Sequence, residues 1–144
     1  MRYLAAVSDV TLADLYETFE ALDDWMDRYA YLNELGQELE PLTDDERSEA
    51  NLVQGCLSRV WLVADPITPD GLLHYRADSE AHIVKGLIAV ALVLFNDKTP
   101  QAVATTNPGD VYERLGLDQH LSMNRRNGFV SMMGRIKTLA VNQA

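Results

Sequence analysis

The chain has 144 residues, of which 47% are hydrophobic and 24% charged, and its formal net charge is −10. That length suits one domain spanning residues 1–144, and that composition excludes a disordered chain. The negative charge repels phosphate backbones and anionic headgroups, so no nucleic acid and no membrane is expected among its partners.

The first stretch, Met1 to Asp9, has one basic residue and an apolar run too short for a secretory signal. No later run is long enough to cross a bilayer, so a cytoplasmic protein is expected. Thr11 with Asp14 forms a capping-box pattern, and Leu12, Leu15, Tyr16, Phe19 and Leu22 recur at helical spacing, which predicts an amphipathic helix ending near Asp23–Asp24. A second helix is predicted over Asp24–Leu35, with Trp25, Tyr29 and Leu32 on one face and Gly36 as its stop signal.

Pro41 opens a connection, and Thr43 with Glu46 repeats the capping pattern for a short helical turn. Two runs rich in β-formers follow, Ser58–Ala64 and Leu72–Ala77, separated by Pro66, Pro69, Asp70 and Gly71, and they predict an antiparallel hairpin with a wide turn. In that hairpin Trp61 and Tyr75 are expected to face each other and pack.

Asp78 or Ser79 is expected to cap the next helix, whose Ile83, Leu87, Ile88, Ala91, Leu92 and Phe95 form a broad apolar stripe that crosses the core. Thr99-Pro100 and Asn107-Pro108 each pair a cap residue with proline at the first helical position, predicting two short surface helices before Gly116. A last helix, Arg125–Val141, carries Phe129, Met132, Met133, Ile136, Leu139 and Ala140 at spacings of three and four and closes the core. The sum is an α+β domain with a small antiparallel sheet packed against several helices.

The sequence holds one cysteine, Cys56, which excludes an internal disulfide, a CxxC pair and a cysteine-rich metal site. His74, His82 and His120 fall on a strand, a helix and a loop without metal-ligand spacing, so neither metal nor cofactor is expected. Read from its position alone, a lone free cysteine is more often a small buried hydrophobe than a reactive group. It does follow Gly55, a natural flex point, at the junction of a helical stretch and a strand. A reactive role requires the thiolate, and Arg59, Lys85 and Arg125 are the candidate cations to favour it. Asp78-Ser79-Glu80 is most simply a helix cap.

Several separated segments carry a resemblance. Asp24-Trp25, Asp27 to Leu32 and Glu34-Leu35-Gly36 are similar to an N-terminal helix with an ELG turn, and Gly55-Cys56-Leu57-Ser58-Arg59-Val60-Trp61 is similar to a GCxSxVW signature. Asp78-Ser79, Ile83 to Leu87 and Thr99-Pro100 follow in the same order, and Gln119 to Ser122 with Arg125 and Gly128 resembles an HLSPSRSQG segment. Together these resemble the SufE/CsdE family of sulfur acceptors over most of the chain. The match departs from the common pattern at Leu57, Arg59, Met123, Asn124 and Arg126, and Arg59 is similar to the CsdE branch.

The resemblance implies an α+β fold akin to the IscU scaffold, but without the three cysteines that a cluster scaffold requires. It implies that Cys56 takes a persulfide sulfur from a PLP-dependent cysteine desulfurase, stimulates that enzyme, and passes the sulfur to an iron–sulfur scaffold complex. Gly55, Ser58, Arg59, Asp78, Lys85 and Arg125 are then expected to bind the partner or support the loop around Cys56. Such a protein is sulfurtransferase-like and does not turn over alone; it works as a monomer or a homodimer. A single thiol suits this role, since a second one nearby would discharge the persulfide as sulfide. The alternatives are a thiol redox protein and a non-catalytic helical adaptor.

Overall fold

The computed structural model describes residues 10–55 and 58–143, so Cys56 and Leu57 lie outside the described residues. The chain forms α1 (Leu12–Ala21), α2 (Trp25–Gln37), a 3-10 turn (Glu49–Asn51), β1 (Val60–Ala64), β2 (Tyr75–Ser79), α3 (His82–Phe95), α4 (Pro100–Thr105), α5 (Pro108–Arg114), α6 (Leu117–His120) and α7 (Met123–Gln143). This is the expected α+β class, with one two-stranded antiparallel sheet among helices.

The local signals for α1 act as the sequence suggests. Thr11 Oγ1 accepts from Asp14 N at 3.1 Å and Asp14 returns a bond to Thr11 N, a complete capping box. Asp24, Thr99 and Asn107 cap α2, α4 and α5 through their side chains, with proline opening the latter two.

Helix α3 is apolar on nearly every side and buried from Gly86 to Leu92, so it serves as the central rod of the fold. Helix α2, strand β2, α7 and α1 pack around it. Gly36 does not stop α2, which runs on to Gln37; it lies where α2 crosses α3, a Cβ on it falling 2.8 Å from the Gly86 amide nitrogen. The glycine is needed for close approach of two helices, not for a left-handed cap.

The hairpin register pairs Val60 with Ser79, Trp61 with Asp78 and Ala64 with Tyr75. Trp61 and Tyr75 therefore point to opposite faces and do not pack on each other. Tyr75 points inward, is fully buried, and donates to the Ile136 carbonyl of α7 at 3.1 Å. Trp61 lies on the other face of the hairpin, where it is still buried, with the Arg59 guanidinium 5.4 Å from its ring. Strand β2 begins later than predicted and runs through Asp78 and Ser79, which are strand residues and not the cap of α3. The residue at the cap position is Ala81, without a side-chain bond of its own; Ser79 Oγ accepts from the Ala81 amide and donates to the Arg59 carbonyl at 2.7 Å.

The outer face of the hairpin carries charges. Arg76 forms hydrogen-bonded ion pairs with both Glu46 and Asp65, and Asp78 lies between Arg47 at 3.2 Å and Lys85 at 3.4 Å. Glu46 and Arg47 belong to the capped turn that starts at Thr43, so these pairs fasten the segment leading to Gly55 onto the sheet. Helices α4, α5 and α6 are more than surface decoration, since Val103, Val111, Tyr112 and Leu117 are buried.

Candidate functional site

Beside the start of β1 lies an open cleft of about 360 Å³. Three elements build it: β1 and its approach supply Val60 and Ser58, the first half of α3 supplies Val84, Leu87 and Ile88, and Ser122 with the first turns of α7 supplies the rest. Its floor is apolar, with Val60, Leu87, Phe129 and Met132 all buried. Its rim is polar, formed by Ser58, Ser122, Asn124 and Arg125. Helical periodicity explains the α7 wall: Arg125, Gly128, Phe129 and Met132 recur at steps of three and four and share one face.

Gly55 and Ser58 stand on either side of the pair 56–57 in the chain. Gly55 has φ +91°, a left-handed value that favours glycine, and a Cβ placed on it would come within 2.6 Å of Ser131 Oγ on α7. Ser58 lines the cleft. Of the described neighbours of the pair 56–57, Gly55 thus lies against α7 and Ser58 at the cleft rim.

The remaining predicted residues divide into two groups. Arg125 shares the cleft with Ser58 and forms no ion pair among the described residues. Arg59, Asp78 and Lys85 do not line it. Arg59 is bonded to Glu80, which raises the guanidinium's proton affinity and holds the Glu80 carboxyl below its ordinary range. Lys85 is paired with Asp78. Of the three candidate cations, two already have a carboxylate, and Arg125 alone lies in the cleft without an ion pair among the described residues.

Sequence reading missed Ser131 and the apolar floor. Phe129 and Met132 are legible as core residues, and their spacing from Arg125 is the available sign that one helix face serves both core and cleft. Among the described residues no group of His, Cys, Asp and Glu is arranged to hold a metal ion, and no helix is long and apolar enough to cross a membrane.

An apolar floor with a single unpaired guanidinium at its rim can shelter a sulfur atom from water and stabilise negative charge on it. Comparison with known proteins gives this arrangement a context. Residues 13–140 match the family model described as SufE, Fe-S metabolism associated domain. The chain belongs to the SufE family.

An uncharacterized SufE-like protein of Rhizobium meliloti (strain 1021) is 41% identical over 132 residues, covering 90% of this chain and 94% of the relative. Another, from Rhizobium etli, is 39% identical over 131 residues, covering 88% and 87%. The solution structure of a hypothetical protein from Thermus thermophilus superposes with a TM-score of 0.73 at 21% identity, over 92% of this chain and 94% of that one, a likeness of fold. The SufE assignment places the chain in Fe–S metabolism, and it spans nearly all of the elements described above.

Proposed function

We propose that this SufE-family protein is a cytoplasmic sulfur acceptor, in which Cys56 takes a sulfane sulfur from a PLP-dependent cysteine desulfurase and delivers it to an iron–sulfur scaffold complex. The Cys56 thiolate attacks the terminal sulfur of the desulfurase's cysteine persulfide. A new S–S bond forms on Cys56, the donor's S–S bond breaks, and its electron pair leaves with the desulfurase thiolate. The exchange needs no oxidant or cofactor on this chain, and it stimulates the desulfurase by clearing its persulfide.

The reading rests on one observation: the cleft that joins Ser58, next in the chain after the pair 56–57, to the unpaired Arg125. A cation there lowers the pKa of a nearby thiol and favours the nucleophilic form. The apolar floor offers a persulfide protection from solvent reductants between donor and acceptor. Gly55 supplies backbone freedom on one side of Cys56, while Arg59, Asp78 and Lys85 form the charged surface on which a partner docks.

The test is to incubate the protein with a cysteine desulfurase and free cysteine and to weigh the intact chain. The mass rises by one or more sulfur atoms in the wild type and stays unchanged in Cys56→Ser. A wild-type chain that gains no sulfur, or a serine variant that gains as much, rules the reading out.

A further inference from the structure

Helix α7 carries a second surface, on the side away from the cleft. Its 21 residues include Arg125, Arg126, Arg135 and Lys137 and no acidic residue, in a chain with 22 acidic and 12 basic side chains overall. Elsewhere Arg47, Arg59, Arg76, Lys85 and Arg114 are each paired with a carboxylate; on α7 no cation has an ion pair among the described residues. An acidic protein has thus kept one helix free of its own counter-charges.

The same helix exposes an apolar line. Met123, Val130 and Val141 are 67%, 68% and 67% exposed, and they account for three of the five large hydrophobics that stand out to solvent among the described residues. At 3.6 residues per turn, positions 123, 130, 134 and 141 fall close to one line, over about 27 Å of helix. Gly134 sits on that line with nothing within 4 Å of where its Cβ would be, leaving room for another backbone to approach. Arg126 lies beside the line and is exposed, Lys137 follows on the same side with its ammonium donating to the Thr106 carbonyl at 2.9 Å, and Phe129 and Met132 face the opposite way into the cleft.

We infer that this seam is a docking site for an amphipathic helix of a partner protein, one with apolar residues along its centre and acidic residues beside them. Apolar seam on apolar seam supplies the contact, and acid against the exposed Arg126, on a helix with no carboxylate of its own, sets orientation and rejects basic helices. A second copy of α7 brings no carboxylate to this contact. Because the seam faces away from the cleft, a partner seated there leaves Ser58 and Arg125 accessible. The inference does not depend on the chemistry of Cys56.

The test uses the full chain and a labelled synthetic helical peptide, with leucines along one face and glutamates flanking them, read by fluorescence anisotropy. A control peptide has lysine at every glutamate. The glutamate peptide is expected to bind, the lysine peptide to bind at least tenfold more weakly, and Val130→Asp, an exposed change that leaves the fold intact, to weaken the glutamate peptide at least tenfold. Equal binding of both peptides, no binding of either, or indifference to Val130→Asp overturns the inference. So does a wild-type dimer in sedimentation that Val130→Asp dissociates, since the seam would then serve a second copy of this chain.

Discussion

Gly36 and Gly86 meet where α2 crosses α3, and each leaves space that the other helix fills: a Cβ on Gly86 would come within 2.5 Å of the Leu32 carbonyl oxygen, and one on Gly36 within 2.8 Å of the Gly86 nitrogen. These are backbone contacts, so no side-chain rotation relieves them.

Gly86→Ala is therefore expected to destabilise the fold, although alanine is the better helix former by about 1 kcal/mol. Overpacking of a close contact costs about 1–3 kcal/mol or more and outweighs that gain. Urea unfolding measures the net change. Since the two glycines touch, the double alanine variant should deviate from the sum of the singles.

Arg125→Ala should leave stability within about 0.5 kcal/mol of the wild type, because the side chain is exposed and has no ion pair among the described residues. Its effect falls on chemistry. On the proposed function Arg125 favours the Cys56 thiolate, so sulfur uptake at neutral pH should drop roughly tenfold without it. Arg59→Ala and Lys85→Ala, whose side chains are already engaged by Glu80 and Asp78 outside the cleft, should have smaller effects on single-turnover sulfur transfer.

The Glu46 carboxyl is held down to about 2, first by its hydrogen bonds from Arg76 and then by the Thr43 amide. A carboxyl whose folded pKa lies below its unfolded value of 4.5 adds stability above that value and loses it as pH falls from 4.5 toward 2. Thermal melts across this window should show the decline, and Glu46→Gln should flatten it while lowering stability at pH 7.

Gly55→Ala places a side chain at φ +91° and against Ser131 Oγ. The left-handed backbone alone costs about 1–2 kcal/mol. Adding Ser131→Ala removes the hydroxyl that collides, and the remaining Cβ at 3.4 Å is nearly ordinary contact, but the backbone strain stays, so only part of the lost stability returns in a denaturant titration.

Much of the fold is legible in the sequence because its signals are local. The Thr11 box, the Thr99-Pro100 and Asn107-Pro108 starts and the apolar breadth of α3 each work through neighbours in sequence. Where sequence and structure part, a distant residue decides the matter. Asp78 and Ser79 look like a cap until Arg47, Lys85 and the Arg59 carbonyl are brought to them, and those partners hold both residues in a strand. Trp61 and Tyr75 share a face only if β2 starts early, and its true bounds shift the register. Gly36 carries the usual mark of a helix end, and only the nearness of Gly86 shows its other use. At the site, the three candidate cations are visible in the sequence, but their carboxylates lie on other elements, so it does not show which one is left over.

The turn that delivers the chain to Gly55 is fastened to the hairpin by the Arg76, Glu46, Arg47 and Asp78 charges, while α2 and α3 adhere through apolar packing. Dissolved electrolyte shields the first kind of attachment and leaves the second nearly untouched. Ionic strength thus acts selectively on the approach to the cysteine, loosening it in concentrated salt while the helical centre holds, and amide exchange along residues 43–53 is where that difference would be seen.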